Sequence, residues 1–406
     1  SLEFKATYIK DKGTLYSIPG GYINIPRDYK KLDSNDDLVI SAEYFKDNNG
    51  AIVLQDSALV ITPNAYSLQQ KVIQPQAAMV IADVKTGQIK AMVGGRKQTG
   101  QRLYNRALYP RQPGSSIKPL AVYGAALQKS YELEKEGKTY TYTKFGYDKQ
   151  NTQGYGSYLT ASSVIVDEAM TVNGRNWPKN AGGGYSGTQT FRTALQQSLN
   201  TCAVKIQLQV GVDYGMDMLK KFGITTTVSA KDSDTNDENT AALALGGMSR
   251  GTTPLEMAEA YTVFPNGGKR HTATAYTTVT DRKGKVLLEA KSKEYEVLDE
   301  GVAWIMTDLL KSVVTNGIAS SAYVKNVQSG GKTGTTNDQY DIWFDGFTPT
   351  YAGSLWIGTD NNIAMSSMSG PAAALWGRIM RQIDAACTGT YRDRPSNVIN
   401  VGGEWY

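Results

Sequence analysis

The chain has 406 residues, 40% of them hydrophobic and 20% charged, which is enough for about two or three globular domains with ordinary cores. Its net charge of +5 comes without a dense run of Lys or Arg, and this argues against a nucleic-acid partner. Two cysteines and one histidine are too few for a disulfide scaffold or a zinc cluster, and no apolar run is long enough to predict a membrane span.

Residues 1–75 predict a small β-rich module. The segments YINIP and AIVLQDSALVITP cluster or alternate apolar residues between turn-forming residues. We expect this module to be a linker without chemistry of its own. The opening SLEFKATYIKDKG does not have the pattern of a signal peptide, and we expect it to come from the middle of a longer protein.

A hairpin is predicted next, formed by AAMVIADV, the turn Lys85-Thr86-Gly87 and QIKAMVGG. The stretch RQPGSSIKPLAVYGAALQKS then opens with a turn and continues as an apolar helix. Residues 131–190 are rich in Tyr, Gly and Thr and have poor periodicity. Long irregular segments of this kind are usually functional or mobile.

Helices and strands alternate in blocks over the rest of the chain. Four segments have helical spacing: TFRTALQQSLNTCAVKIQLQVG, TTPLEMAEAYTVF, GVAWIMTDLLKSVVTNG and PAAALWGRIMRQIDAAC. Three strands, GGKTGTT, DIWFDGFTP and YAGSLWIGTD, precede the last of these helices. Strands, then a mostly helical block, then strands and a helix predict an α+β fold with an all-helical insertion.

The composition restricts the chemistry that a serine nucleophile could use. His271 follows a turn-like Gly-Gly-Lys-Arg stretch and is expected to be exposed, so a base other than histidine is needed, and lysine is the remaining candidate. Lysine is a poor base at its usual pKa of about 10.4. Because burial and a second positive charge both lower that pKa, such a site requires a pocket and, ideally, another lysine.

Ser115 and Lys118 satisfy the first of these requirements. Positions three apart lie on one face of a helix, and a helix N-terminus favours negative charge that develops on a serine oxygen. Gly114 permits a tight turn before Ser115, and Pro119 is tolerated in a first helical turn.

A plainer interpretation is also open, in which Ser115 or Ser116 only caps the helix. The motif is weak by itself, since Ser-x-x-Lys recurs at Ser329-Gly330-Gly331-Lys332 and Lys-Thr-Gly recurs in the hairpin turn at 85–87.

The order of three motifs strengthens the catalytic interpretation. Ser115-Ser116-Ile117-Lys118 opens a helix, Ser198-Leu199-Asn200 lies within another apolar segment, and Lys332-Thr333-Gly334-Thr335 begins a strand. This trio is typical of penicillin-binding proteins and related β-lactamases. The second motif departs from Ser-Asp-Asn because Leu199 replaces the aspartate.

From about residue 75 to 390 the chain resembles the transpeptidase domain of class A penicillin-binding proteins. Further motifs that carry the resemblance are Asn105-Arg106-Ala107, Arg111-Gln112-Pro113-Gly114-Ser115-Ser116, Leu245-Gly246-Gly247, Pro265-Asn266-Gly267-Gly268 and Gly331-Lys332-Thr333-Gly334-Thr335-Thr336. The resemblance implies the penicillin-binding/serine β-lactamase-like fold, with an antiparallel sheet flanked by helices and an all-helical subdomain. We expect a linker module at 1–75, a D,D-transpeptidase domain at 76–390 and a C-terminal tail at 391–406.

The resemblance also implies roles for individual residues. Ser115 attacks the carbonyl of the penultimate D-alanine of a peptidoglycan stem peptide, and Lys118 accepts its proton. Ser198 relays the proton to the departing D-alanine. Asn200 hydrogen-bonds the substrate amide and fixes Lys118, while Lys332 supplies the second positive charge.

The Lys-Thr-Gly-Thr motif is expected to bind substrate. Thr333 and Thr335 present hydroxyls to the terminal carboxylate of the substrate, and Gly334 lets the substrate strand lie against the backbone. The backbone N–H groups of Ser115 and Thr335 form the oxyanion hole. No metal or cofactor is implied.

The implied function is peptidoglycan D,D-transpeptidation through a serine acyl-enzyme. An amine of a second stem peptide takes the acyl group, water as acceptor would make the protein a carboxypeptidase, and β-lactams would acylate Ser115. The expected partners are donor and acceptor stem peptides, β-lactams and the cell-wall synthesis machinery. We expect a location in the bacterial cell envelope outside the cytoplasm, with a glycosyltransferase and a membrane anchor preceding residue 1 in the full protein.

Three other functions fit the sequence less well. A class A β-lactamase needs a Glu-x-x-Leu-Asn stretch between the second and third motifs, and the sequence has none between Asn200 and Lys332. A P-loop at Gly330-Gly331-Lys332-Thr333 would need glycine where Asn326 stands, followed by a helix where a strand is predicted. The three intact motifs argue against a catalytically inactive wall-binding module, and only an acylation assay would exclude it.

The irregular segment from about 137 to 187 lies between the first two motifs. It must therefore leave and return near the site. Our hypothesis is that it shapes the rim of the cleft and governs access of the acceptor peptide or of bulky β-lactams. The alternative is a solvated insertion without a function.

Overall fold

The computed structural model describes residues 25–47, 75–96, 103–138, 159–172 and 174–406, together with the strand backbone within 2–23 and 52–61. The chain divides into two compact units, Ser1–Gln74 and Pro75–Tyr406. None of the helices in the described part of the chain has the length and apolar character that a membrane span requires.

The first unit is β-rich, as predicted. Its described part contains three antiparallel hairpins, which are β1 (Leu2–Asp11) with β2 (Thr14–Ile23), β3 (Lys30–Leu32) with β4 (Leu38–Ile40), and β5 (Ile52–Gln55) with β6 (Ala58–Ile61). The short α-helix α1 (Ala42–Asp47) lies between the second and third hairpins.

The second unit carries the other elements. In chain order they are β7 (Gln76–Asp83), β8 (Ile89–Val93), α2 (Ala125–Lys135), β9 (Val164–Asp167), β10 (Thr171–Val172), β11 (Arg175–Asn176), β12 (Gly187–Thr190), α3 (Phe191–Gln196), α4 (Asn200–Val210), α5 (Val212–Lys221), α6 (Thr240–Leu245), α7 (Pro254–Thr262), β13 (Lys269–His271), β14 (Thr278–Thr280), β15 (Val286–Glu289), β16 (Glu294–Glu296), α8 (Glu300–Thr315), β17 (Gly330–Thr335), β18 (Asp341–Phe347), β19 (Tyr351–Gly358), α9 (Gly370–Met380), β20 (Asn400–Val401) and β21 (Glu404–Trp405).

An antiparallel sheet of order β17-β18-β19-β7-β8 forms the centre of this unit. The predicted hairpin is β7–β8, and the three predicted C-terminal strands are β17, β18 and β19. Side chains alternate between the two faces of a strand. Phe344 of β18 packs on Trp376 of α9, whereas its neighbour Trp343 donates a hydrogen bond from Nε1 to the Gln112 carbonyl at 2.8 Å. One face of the sheet therefore meets α9, and the other meets the segment that carries Ser115.

Capping accounts for two of the predicted helices. Thr253 and Glu256 form a reciprocal capping box before α7, and the Asp299 side chain accepts a hydrogen bond from the Gly301 N–H at the start of α8. The α+β fold with helices on both sides of an antiparallel sheet is confirmed.

One predicted helix is two helices in the structure. The segment 190–211 forms α3 and α4, which are separated at Ser198, where the backbone has a φ of 57°. A helix cannot continue through a left-handed residue, so α4 begins anew at Asn200. The expectation that His271 lies in an exposed turn is also wrong, because His271 ends strand β13 and its side chain is 17% exposed beside Glu294.

Residues after 390 pack on the same unit. The Trp405 ring makes an edge contact with Trp304 of α8 at 4.8 Å between centroids, and a hydrogen bond of 2.5 Å joins the hydroxyls of Tyr406 and Ser162. The C-terminal strands β20 and β21 thus cover part of α8.

Candidate active site

Ser115 lies in a short 3-10 turn, Gly114–Ile117, which leads through Lys118 into a π-helical segment, Pro119–Gly124, and then into α2. Pro119 has no N–H for the Ser115 carbonyl, and the Lys118 N–H satisfies that carbonyl instead. The predicted helix is therefore present, but its first turns are tighter and then wider than an α-helix.

The two serines of this turn differ in environment. The Ser116 side chain is fully buried and its hydroxyl donates to the Pro113 carbonyl at 2.9 Å, whereas Ser115 is only partly buried. No side-chain cap is made at the start of this turn, so capping does not explain either serine. Ser115 is the serine that a substrate can reach.

The turn before Ser115 is anchored from several sides. Arg111 donates from Nε to the Asp341 carboxylate at 2.7 Å, and Gln112 donates from Nε2 to the Met248 carbonyl at 3.1 Å. Gly114 has a φ of +55°, and a Cβ there would lie 2.5 Å from the Thr335 carbonyl oxygen. The backbones of the turn and of β17 are consequently in direct contact.

We expect Gly114→Ala to disturb both the fold and the site. The left-handed conformation alone costs a non-glycine residue about 1–2 kcal/mol, and the added Cβ would push the turn away from Thr335. The variant should melt at a lower temperature and take up a fluorescent penicillin more slowly than the unchanged chain. Gly137→Ala is the matched control, because Gly137 also has a positive φ but a Cβ there meets nothing within 4 Å. Equal acylation rates in the two variants would contradict the contact argument.

Lys118 is fully buried among the other predicted site residues. Its Nζ donates to the Ser198 carbonyl and to Asn200 Oδ1, both at 2.8 Å, and lies 3.4 Å from Ser198 Oγ. Burial, reinforced by the positive charge of Lys332, holds the pKa of Lys118 well below its usual value. Both effects favour the neutral amine that a general base requires.

Lys332 approaches the same serine from β17. It is also fully buried, and its Nζ donates to Ser198 Oγ at 2.7 Å and to the Thr333 carbonyl at 3.1 Å. The Ser198 hydroxyl thus lies between two amines. Burial lowers the pKa of Lys332 to about 7, so near neutral pH this side chain is only partly charged. Burial is accordingly the larger cause of the low pKa of Lys118, and the like charge is the smaller one.

The irregular segment before α3 supports the second motif. Asn180 Oδ1 accepts a hydrogen bond from the Asn200 N–H at 2.8 Å, and the Lys179 carbonyl accepts one from Asn200 Nδ2 at 2.8 Å. Asn180 is itself held by the buried carboxylate of Asp167 at 2.8 Å. Sequence reasoning missed all three residues, since no periodicity marks them. Residues 139–158 and 173 of this segment lie outside the described residues.

The remaining predicted residues line the edge of β17. Thr333 is buried, with its hydroxyl 3.4 Å from Lys332 Nζ, and Thr335 is partly buried beside Gly114. A Cβ on Gly334 would lie 3.0 Å from the Ser116 side chain, so packing against the turn already requires glycine at this position. Its predicted role beside a substrate strand stays a prediction.

The structure brings Lys118, Ser198, Asn200 and Lys332 together, and Gly114 brings the Ser115 turn against Thr335. Within the described part of the chain, the Ser115 hydroxyl makes no hydrogen bond with the Lys118 amine, and the two residues are joined only through the backbone bond from the Lys118 N–H to the Ser115 carbonyl. The second Ser-x-x-Lys copy is structural, because the Ser329 hydroxyl is buried and donates to the Ala322 carbonyl at 2.9 Å.

The chain was compared with known proteins. The family described as "Penicillin binding protein transpeptidase domain" matches residues 77–172 and 158–380. Penicillin-binding protein 1A of Clostridium acetobutylicum is 36% identical over 356 residues, which cover 86% of this chain and 41% of that protein. The chain therefore spans less than half the length of this relative.

Solved structures share the fold. Penicillin-binding protein 1A from Haemophilus influenzae superposes with a TM-score of 0.65 at 22% identity and covers 91% of this chain and 52% of that chain. The PonA1 protein from Mycobacterium tuberculosis in complex with penicillin V gives a TM-score of 0.60 at 21% identity, over 77% of this chain and 80% of that chain. By the family match over most of its length, the chain belongs to the penicillin-binding protein transpeptidase family.

Proposed function

We propose that the chain is a peptidoglycan D,D-transpeptidase that cross-links stem peptides through an acyl-enzyme on Ser115. The observation that carries the proposal is the buried amine of Lys118, held by the Ser198 carbonyl and Asn200 Oδ1 in the helical segment that begins at Ser115. A neutral amine is a competent general base for a serine hydroxyl. The penicillin V that is bound in the PonA1 structure supports β-lactams as ligands of this fold.

In the acylation step, Ser115 Oγ bonds to the carbonyl carbon of the penultimate D-alanine and its proton passes to Lys118 Nζ. The carbonyl oxygen of the substrate becomes negative, and the backbone N–H groups of Ser115 and Thr335 stabilise it. The two backbone segments that carry these groups are in contact at Gly114. One such donor is worth roughly 10²–10³ in rate in other acyl transferases. The bond to the terminal D-alanine then breaks.

The leaving amine needs a proton when that bond breaks. Ser198 Oγ receives hydrogen bonds from both lysines, so it can give its own proton to the amine nitrogen and take in return the proton that Lys118 accepted from Ser115. Lys332 holds the Ser198 hydroxyl in place during this transfer. Thr333 and Thr335 are proposed to bind the terminal carboxylate, aided by the charge of Lys332. Asn200 holds Lys118 by accepting a hydrogen bond at Oδ1. Its Nδ2 donates to the Lys179 carbonyl, and when it leaves that carbonyl it can instead donate to the substrate amide.

A second stem peptide supplies the acceptor amine, which attacks the acyl carbon and releases Ser115. Water in its place gives D,D-carboxypeptidation, which is the second candidate. We also propose the bacterial cell envelope as the location and cell-wall synthesis proteins as partners. We propose a glycosyltransferase elsewhere in the full protein, since this chain covers only 41% of penicillin-binding protein 1A of Clostridium acetobutylicum. The proposed domain limits remain 1–75, 76–390 and 391–406.

The test is a product assay with a stem pentapeptide that ends in D-Ala-D-Ala and a stem peptide with a free amine. We expect D-alanine release together with a cross-linked product, and neither with Ser115→Ala. Release without cross-linking would favour the carboxypeptidase. Rapid turnover of penicillin would indicate a β-lactamase, and no product with any substrate would indicate an inactive wall-binding module.

Shortening the segment 137–187 tests its proposed role at the rim. The part that contains Lys179 and Asn180 supports Asn200, so only residues before position 160 should be removed. We expect a changed ranking of acylation rates among small and bulky β-lactams, or changed acceptor use, with little change in melting temperature. Asn180→Ala is the contrasting variant, since it should slow acylation by every β-lactam. Unchanged rates in a stably folded deletion would leave the removed part without a function.

A further inference from the structure

Asp345 is a buried carboxyl that the proposed mechanism does not use. It lies in β18 directly opposite Lys332 of β17 on one side and Ser354 of β19 on the other. Opposite residues of antiparallel strands share a face of the sheet. All three side chains are fully buried, so they form a polar row under the turn that carries Ser115.

The carboxyl of Asp345 has no conventional partner. Within the described part of the chain, neither of its oxygens nor Ser354 Oγ makes a hydrogen bond of normal geometry. Ser354 lies opposite Asp345 on the sheet, and Ser116 packs on the same face, over Gly334 two positions along β17 from Lys332. Lys332 does not compensate the carboxyl by an ion pair, since its Nζ is directed to Ser198 Oγ and the Thr333 carbonyl. An unpaired charge in such a place is strongly unfavourable, and this favours the neutral acid.

Ser116 offers the neutral acid an acceptor. A hydroxyl has one hydrogen, and that of Ser116 is donated to the Pro113 carbonyl at 2.9 Å. Its oxygen lone pairs remain free for a donor. The Ser116 carbonyl is already held by the Tyr261 hydroxyl at 2.7 Å. A hydrogen bond donated by Asp345 would therefore use the remaining acceptor capacity of the Ser116 hydroxyl.

We infer that Asp345 is a positioning residue for the acylation proposed above: a small rotation of its neutral carboxyl allows it to donate a hydrogen bond to the Ser116 hydroxyl and so to hold the turn that presents Ser115. Ionisation of Asp345 would break this hydrogen bond. It would also place a negative charge opposite Lys332 on the sheet, which favours the protonated form of both buried lysines and so opposes the general base.

The titration of Asp345 gives the inference a measurable signature. Burial raises the pKa of Asp345 to about 7, and the nearby hydroxyls of Ser354 and Ser116 oppose this shift. The titratable groups that face it are Lys332 from β17 and Tyr261 from α7, while β19 and the Gly114–Ile117 turn contribute uncharged side chains. Part of the acylation rate should therefore be lost as the pH rises through about 7.

Four variants of the whole chain test the inference by their rates of acylation with a fluorescent penicillin. Asp345→Asn keeps a neutral donor and should acylate at the wild-type rate at pH 6 while losing less rate above neutral pH. Asp345→Ala should be roughly 5- to 10-fold slower, the loss that one hydrogen bond of about 1 kcal/mol represents. Ser116→Ala should be at least as slow, because it also removes the hydrogen bond to the Pro113 carbonyl. The double variant should be no slower than Ser116→Ala alone.

Two acylation results would overturn the inference. Asp345→Asn as slow as Asp345→Ala would mean that the negative charge is needed. Equal rates in Asp345→Ala and the wild type would mean that Asp345 positions nothing. A wild-type chain that takes no label overturns the proposed function as well, whereas a labelled wild type with equal rates in all variants overturns this inference alone.

Thermal melting tests the buried acid without any acylation. Because the pKa of Asp345 is raised by folding, from 3.8 to about 7, its favourable contribution to stability is complete below pH 4 and is lost as the pH rises through about 7. Asp345→Asn lacks this loss. Its melting temperature relative to the wild type should rise across that interval and then level off, and a difference that is independent of pH would overturn the inference.

Discussion

Exposure to a penicillin is expected to add one penicilloyl group to each chain, and the group is expected on Ser115. Ser115 is the partly exposed serine of the first motif, and its turn leads directly to the buried amine of Lys118. Its neighbour Ser116 is fully buried and hydrogen-bonded, and Ser329 of the second Ser-x-x-Lys copy is buried as well. Intact-protein mass counts the adducts. Ser115→Ala should remove the adduct completely.

The position of the adduct can be read by peptide mapping. Trypsin cuts after Arg111 and Lys129 but spares the Lys118–Pro119 bond, so residues 112–129 form one peptide with two serines, Ser115 and Ser116. Fragment ions distinguish the two. Ser329→Ala is the control for the second motif copy and should label as the wild type does. A label on Ser116 or Ser329, or none on a chain that is active on stem peptides, would contradict the assignment of Ser115.

Much of the fold could be predicted because its signals are local. The β7–β8 hairpin has a Lys-Thr-Gly turn between two apolar runs, and in the structure Gly87 has a φ of +70° at that turn. Helices α7 and α8 are preceded by the N-cap residues Thr253 and Asp299, which are capping residue types that can be recognised in the sequence. The aromatic and aliphatic residues of β18 and β19 are typical of strands that are buried on both faces, and in the structure nearly every residue of these two strands is buried.

The missed features depend on contacts between distant parts of the chain. Ser198 adopts a left-handed conformation although neither glycine nor proline marks the break, because the turn there directs its carbonyl and hydroxyl at Lys118. Asn180 supports Asn200 from an irregular stretch without periodicity. Asp345 interrupts the apolar strand DIWFDGF, and only the register against Lys332 shows that it lies under the site. Secondary-structure propensity and hydrophobic periodicity contain no information about contacts between distant residues.

Replacing Lys118 is expected to nearly abolish acylation without unfolding the chain. General-base catalysis contributes roughly 10²–10⁴ in rate, and Lys118→Ala removes the group assigned to that task. The fold should persist, because Lys118 is a buried amine whose charged form is already disfavoured. Lys118→Met keeps most of the volume and separates the lost base from a packing defect. Both variants should melt cooperatively, with acylation followed by a fluorescent penicillin.

Replacing Lys332 is expected to change the pH dependence of acylation. Lys118 must be neutral to accept a proton, so the rate rises with pH as Lys118 loses its charge. The like charge of Lys332 lowers the pKa of Lys118, and removal of that charge in Lys332→Gln should raise it. The acidic limb of the rate profile then moves to higher pH. The rate should also fall overall, since Ser198 Oγ loses the donor at 2.7 Å.

The pKa of Lys332 locates where this shift should be seen. Because burial lowers that pKa to about 7, Lys332 carries its full charge only on the acidic side of neutrality, and the two profiles should diverge most there. Lys325→Gln is the matched control, since it removes an exposed positive charge near the start of β17 and leaves the buried pair intact. Its acidic limb should coincide with that of the wild type. If the acidic limb of the Lys332→Gln profile also coincides with that of the wild type, the charge of Lys332 does not lower the pKa of Lys118. Burial alone would then keep the base neutral.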